Sequence, residues 1–175
     1  RTEVRWLDVA EPCVDPKVPV SSGMFAAMQS SAAYDHYTEF CENKIQQYDE
    51  QRNFPAVNGT SQLSPHLHFG VVSPLRLLHK ALTVIGDGAS TYASELIWRD
   101  FYAQVMYHRP DSVHGCYQRH WDAIPWQDDP RFVTAWMEGK TGYPIVDAAM
   151  RQLNATGWMH NRLRMIVASF LTKDL

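Results

Sequence analysis

Proline-headed segments constrain this chain more than any other feature. Ser64-Pro65, Ser73-Pro74, Asp129-Pro130 and Tyr143-Pro144 each pair a turn-side residue with a proline at the first helical position. Proline is tolerated there because the first helical N–H groups have no partner inside the helix, and its fixed φ suits the helix. Glycines mark the far ends, at Gly86, Gly139 and Gly157. Between these marks apolar residues recur at three- and four-residue spacing, as in Tyr37, Phe40, Cys41, Ile45 and Tyr48. No segment alternates in the manner of a strand. The spacing predicts an all-α fold with helices over 32–52, from Ser73 to Gly86, over 90–108, 130–139 and 144–157, and from His160 onward.

At 175 residues the chain has the size of one domain with a real core. Residues 1–30, with Pro12, Pro16, Pro19 and Ser21-Ser22-Gly23, read as an irregular lead-in or linker, and 31–175 as the helical domain. The chain opens on Arg1 rather than Met and carries no signal-peptide pattern, which reads as a piece cut from a longer protein. No apolar run is long enough to span a bilayer. Cys13, Cys41 and Cys116 are odd in number and read as free thiols in a reducing, cytoplasmic setting.

A net charge of −3 does not mark a nucleic-acid binder. The charge is nevertheless uneven. Between Ala148 and Lys173 there is no Asp or Glu, while Arg151, Arg162, Arg164 and Lys173 are basic. Such a stretch attracts phosphates, or it is simply a solvated helix face.

Three segments carry chemistry. In GTSQLSPHLHFG (59–70), Thr60, Ser61 and Ser64 crowd hydroxyls before a helix start, as a phosphate seat or as plain caps. In ELIWRDFY (95–102), Glu95, Trp98, Arg99 and Tyr102 fall on one helical stripe. Aromatic and charged groups on one face suit a base or a flavin ring, and equally a salt bridge flanked by aromatics. In GWMHNRLRM (157–165), Asn161, Arg164 and Met165 share a stripe and Arg162 projects elsewhere. Asn donates and accepts at once, as the edge of a base or an isoalloxazine requires, and two divergent arginines can serve two anions. His66 and His68 diverge on a helix, and His114, Cys116 and His120 lack a fourth ligand, so no metal is expected.

These segments, with EGKTGYPIVDAAMRQLNATGWMHNRLRM (138–165) and ASFLTKDL (168–175), resemble the helical flavin-binding domain of the DNA photolyase/cryptochrome family. The resemblance runs from about Tyr34 to Leu175 and is closest to the bacterial-type (class I) photolyases of cyclobutane pyrimidine dimers. Asn161 carries that distinction: family members with other activities place His or Asp there. The resemblance implies light-driven repair of DNA by an electron from reduced FAD. A signalling, cryptochrome-type photoreceptor and an inert helical folding unit are the alternatives.

Carried over by motif, Tyr48, Thr60, Ser61, Gln62, Leu63, Ser64, Arg99, Trp158, Asn161 and Arg164 are implied FAD contacts. Glu95, Trp98, Asn161 and Met165 would face the dimer. Arg52 and Arg162, with Glu95 and Trp98, would contact DNA, and Trp126 would be the outer member of an electron relay. The antenna domain is absent from this sequence. So is the downstream family segment with an Asp-Gly-Asp flavin clamp, which would pair with Arg99 or Arg164. The expectation is therefore a truncated cavity that binds FAD weakly or not at all and favours self-association.

Overall fold

The computed structural model describes residues 30–125, 127 and 129–175. The lead-in, Cys13 and Trp126 lie outside the described residues. The helices are α1 (Ser30–Asn43), α2 (Tyr48–Gln51), α3 (Ser64–His68), α4 (Pro74–Leu82), α5 (Asp87–His108), α6 (Pro130–Met137), α7 (Pro144–Thr156) and α8 (Asn161–Lys173). Short 3₁₀ turns lie at Ile45–Gln47, Pro110–Val113 and Arg119–Ala123. No strand occurs among the described residues, and the all-α expectation holds.

Two apolar clusters organise these helices. The first joins α1, α2, α4 and α5 around Phe40, Ile45, Leu63, Leu77, Tyr92 and Leu96. The long helix α5 runs against α2 and α4. Its N-terminal half is packed and its C-terminal half is exposed. The second cluster is the α7–α8 pair, with Val146, Ala149, Met150, Leu163, Val167 and Phe170 on the shared face and Trp136 of α6 alongside. Trp136 Nε1 donates to the Val167 carbonyl at 3.0 Å, which gives the indole N–H of this half-buried ring a partner.

Two start signals work as the sequence implies: Ser73 Oγ accepts from Arg76 N at 3.4 Å, and Asp129 Oδ1 from Arg131 N at 2.9 Å. Ser64 does not. It is the first residue of α3, Leu63 occupies the cap position, and no side chain caps the helix. The expected single helix over 32–52 is also interrupted, because Lys44–Gln47 tightens into a 3₁₀ turn before α2. The break lets α5 approach closely: a Cβ on Gly88 would overlap the Ile45 carbonyl oxygen.

The loop ahead of α7 is tied by Asp147. Its carboxylate accepts from Thr141 N (2.7 Å), Thr141 Oγ1 (2.6 Å) and Gly142 N (3.0 Å). These bonds, the Thr141 hydroxyl first, hold the Asp147 carboxyl below its ordinary range. At its other end α7 stops on Gly157, whose φ of 70° is the left-handed conformation that glycine adopts freely. The chain reverses there and delivers residues 158–161 against the loop before α3.

Candidate functional site

That reversal leaves a cavity of about 720 Å³ between the two clusters. Tyr48 and residues 60–65 form one side, and Gly157, Trp158, Met159, Asn161 and Arg164 the other, with His68 and Phe69 at the rim. Every implied FAD contact except Arg99 lines it. Its volume falls within the range of small-molecule and cofactor pockets, roughly 300–1,000 Å³.

The Thr60–Ser64 loop is constrained. Gln62 has φ of 51°, the only positive φ outside glycine among the described residues. Leu63 follows at φ −85° and ψ 4°. A left-handed residue followed by a right-handed one turns successive N–H groups toward one side, the arrangement that favours an anion. The α3 helix is a single short turn, so the hydroxyls and loop N–H groups, rather than a long helix dipole, make this end of the cavity receptive to phosphate. Gln62 Nε2 donates to Asn58 Oδ1 at 3.1 Å, which supports the turn. Tyr48 forms part of the wall, and burial pushes its phenol up to about 12, so it stays neutral.

On the opposite wall, His160 sets the start of α8. Its ring is buried, and Nδ1 accepts from Arg162 N at 3.1 Å. An accepting Nδ1 makes the neutral ring's other nitrogen the N–H, and Nε2 has no partner among the described residues. Burial, then the nearby Arg162 charge, lowers the pKa of His160. Arg164 Nε donates to the Met159 carbonyl at 3.0 Å, which folds its stem along the cavity wall.

Arg99 departs from expectation. Its Nη2 donates to the Leu67 carbonyl at 3.1 Å near the end of α3, and the side chain does not line the cavity. The Leu67 carbonyl also accepts from Gly70 N at 3.4 Å, and its second lone pair takes the guanidinium at the helix end.

Beside the cavity, Arg52 Nη1 meets Glu95 Oε1 at 2.7 Å, half-buried. Arg162 Nε and Nη2 donate to Asn53 Oδ1 at 3.2 and 2.5 Å, linking α8 to the turn after α2. The implied DNA-facing residues Arg52, Glu95 and Arg162 thus cluster around one short turn. Trp98 is 52% exposed and Met165 57% exposed. Trp98 packs edge-on to Phe101 and within 6.2 Å of Tyr102, which leaves an open aromatic face. Among the described residues no His, Cys, Asp and Glu group can hold a metal ion, and no helix is long and apolar enough to cross a membrane.

Met159, Phe69, His36 and Tyr92 were not singled out by sequence reasoning. Tyr92 lies three residues before Glu95 on the same helix, so extending the stripe by one turn would have reached it. No sequence signal points to His36.

Residues 92–175 match the FAD binding domain of DNA photolyase. The chain is 50% identical over 154 residues to the deoxyribodipyrimidine photo-lyase of Escherichia coli strain K12, covering 85% of this chain and 33% of that protein. It is 52% identical over 143 residues to that of Vibrio cholerae, covering 78% and 30%. Over most of its length the chain is similar to members of the DNA photolyase/cryptochrome family. Among solved structures, a bacterial class III photolyase from Agrobacterium tumefaciens aligns with a TM-score of 0.81 at 38% identity, over 90% of this chain and 35% of that one. A cryptochrome from Synechocystis aligns with a TM-score of 0.77 at 33% identity, over 83% and 32%. The chain spans about a third of the length of the curated relatives it matches.

Proposed function

We propose that the chain is part of a deoxyribodipyrimidine photo-lyase that repairs cyclobutane pyrimidine dimers with light and reduced FAD, in the cytoplasm. The observation that carries this reading is the cavity itself, in which a hydroxyl-bearing loop faces Trp158, Asn161 and Arg164 across about 720 Å³. The donor set fits a dinucleotide: Thr60, Ser61 and Ser64 can donate to phosphate oxygens, and Asn161 and Arg164 can donate to a ring edge. When bound, reduced FAD supplies the electron that opens the dimer under light.

The chain's own residues bind, orient and shield. Tyr48 and Trp158 supply flat walls. Glu95 has one oxygen on Arg52, while Oε2 accepts no hydrogen bond among the described residues and is open to an N–H of an extruded base. Arg52 fixes the direction of that carboxylate. Trp98 and Met165 give the base an apolar surface, because chemistry on a base requires taking it out of the stack. Arg162, held by Asn53 at the same turn, faces the phosphates of the DNA. Trp126 would complete an electron path to the surface.

The test uses the full-length protein with dimer-containing DNA under blue light. Loss of dimers with flavin bound supports the reading. Bound flavin with dimers left intact overturns repair in favour of a cryptochrome-type photoreceptor.

A further inference from the structure

One residue of the hydroxyl loop is held from behind at its carbonyl and at its hydroxyl. The Ser61 carbonyl accepts from His36 Nε2 on α1 at 2.9 Å, so that nitrogen carries the hydrogen. The Ser61 hydroxyl accepts from the Tyr92 hydroxyl on α5 at 3.2 Å. Ser61 and Tyr92 are 8% and 4% exposed. Ser61 lines the cavity; His36 and Tyr92 do not. The Tyr92 ring is itself fixed, with Phe40 and Tyr48 ring centroids at 5.1 and 5.2 Å.

A serine hydroxyl has one proton and two lone pairs. Accepting from Tyr92 uses a lone pair and leaves the proton to be donated in another direction. The carbonyl is committed to His36, so the residue cannot turn away, and the remaining polar direction is the cavity. Burial raises the Tyr92 phenol above its ordinary value, which keeps it protonated as a donor.

We propose that Tyr92 is a positioning residue that, together with His36, makes the Ser61 hydroxyl an oriented donor to the phosphate-bearing end of the cavity's ligand. This rests on the reading of the cavity as a flavin dinucleotide site. In the series Tyr92 O–H, Ser61 O–H, phosphate oxygen, every donor points the same way and each bond polarises the next. A ligand without phosphate leaves the series without its last acceptor and gains nothing from it.

The 175-residue chain, labelled with ¹⁵N, is titrated with ADP and separately with riboflavin, and amide shifts at 60–64 are followed. Wild type, Tyr92→Phe, Ser61→Ala and the double variant are compared; phenylalanine preserves the ring packing. Tyr92→Phe is expected to weaken ADP roughly three- to tenfold, within the span of one hydrogen bond supporting a charged acceptor. Riboflavin affinity stays within about twofold. In the Ser61→Ala background, Tyr92→Phe causes no further loss, because its effect passes through Ser61.

Equal weakening of both ligands, unchanged ADP affinity, or additive losses in the double variant would overturn the proposal. His36→Leu, which removes the donor to the Ser61 carbonyl, is expected to give the same ADP-selective loss, and it decides the matter if Tyr92→Phe does not fold. If the wild-type loop amides respond to neither ligand, the same variants are compared by flavin retention in the full-length protein, and a full-length wild type that holds no flavin overturns the flavin-site reading itself.

Discussion

His160 shows how a single side chain can serve both fold and site. Its ring is 2% exposed and caps α8 in the neutral form, with Nδ1 accepting from the Arg162 amide. Protonation removes that acceptor and adds a charge beside Arg162. Since burial lowers its pKa in the folded state, the unfolded chain binds the proton more readily. The stability tied to the neutral ring is therefore present above the ordinary His range and lost as pH falls below it. The expected result is a melting temperature that drops between about pH 7.5 and 5.5. His160→Asn, which keeps an accepting cap but does not titrate there, should flatten that drop. An unchanged pH profile in the variant would place the effect on other histidines.

Glu95 belongs at the same scale. Glu95→Gln keeps the size but weakens both the Arg52 pair and the open acceptor. In the full-length protein it should slow dimer repair about 10- to 100-fold, the span of one charge-assisted hydrogen bond, while bound flavin is retained. Repair rate and flavin absorbance measured on the same sample separate the two effects. The roles of Glu95 and Arg52 as neighbours were legible only in part. Glu95 was marked by its helical stripe and Arg52 only by the family resemblance, and their 2.7 Å pairing depends on α2 and α5 being packed together, which no local spacing reveals. Arg99 lies outside the cavity lining for the converse reason. A long side chain goes to an acceptor with a lone pair to spare, and the Leu67 carbonyl is brought within reach only by the fold.

Helix content was readable because proline and glycine act locally, on the residues beside them. The break at Lys44–Gln47 was not. Phe40, Cys41, Ile45 and Tyr48 keep a helical rhythm straight through it, and the demand for a tighter turn comes from α5 on the other side. Gly88 records that demand. Alanine there would gain about 1 kcal/mol in helix propensity. Its Cβ would overlap the backbone oxygen of Ile45, which no side-chain rotation relieves. The steric cost exceeds the propensity gain, so Gly88→Ala is expected to destabilise the chain by about 1–3 kcal/mol in urea unfolding. A gain in stability would mean that α5 can slide away from the turn. Asp147 does comparable work for α7. Asp147→Ala leaves the N–H groups of Thr141 and Gly142 without their acceptor, and a melting temperature lower by about 5 °C is expected. Since its carboxyl is held below the ordinary range, this contribution is present above the unfolded carboxylate range and fades as pH falls through the folded value.

For the whole molecule, the decisive geometry is a cavity whose two sides come from different apolar clusters, joined beside it by Arg162 and Asn53. The motifs of both sides were visible in the sequence; their meeting was not, because it depends on how α7 reverses at Gly157. Many of the lining groups face water: Gln62, Ser64, Phe69, Asn161 and Arg164 are all exposed. The Arg164 guanidinium meets a backbone carbonyl and, among the described residues, no carboxylate. A ligand seated here would keep one face solvated, which weakens each polar contact relative to an enclosed site. The 175-residue chain is therefore expected to purify without a stoichiometric flavin band in its visible spectrum and to bind added FAD weakly. The same openness extends along α5, where Ile97, Trp98, Phe101 and Tyr102 present apolar surface to solvent. A continuous apolar face of this kind drives association when nothing else covers it. Sedimentation velocity over a hundredfold range of concentration should show a rising mass, and Trp98→Ala combined with Phe101→Ala should reduce it. A tightly bound flavin in a strictly monomeric chain would mean that the cavity and the α5 face are closed by contacts within this chain.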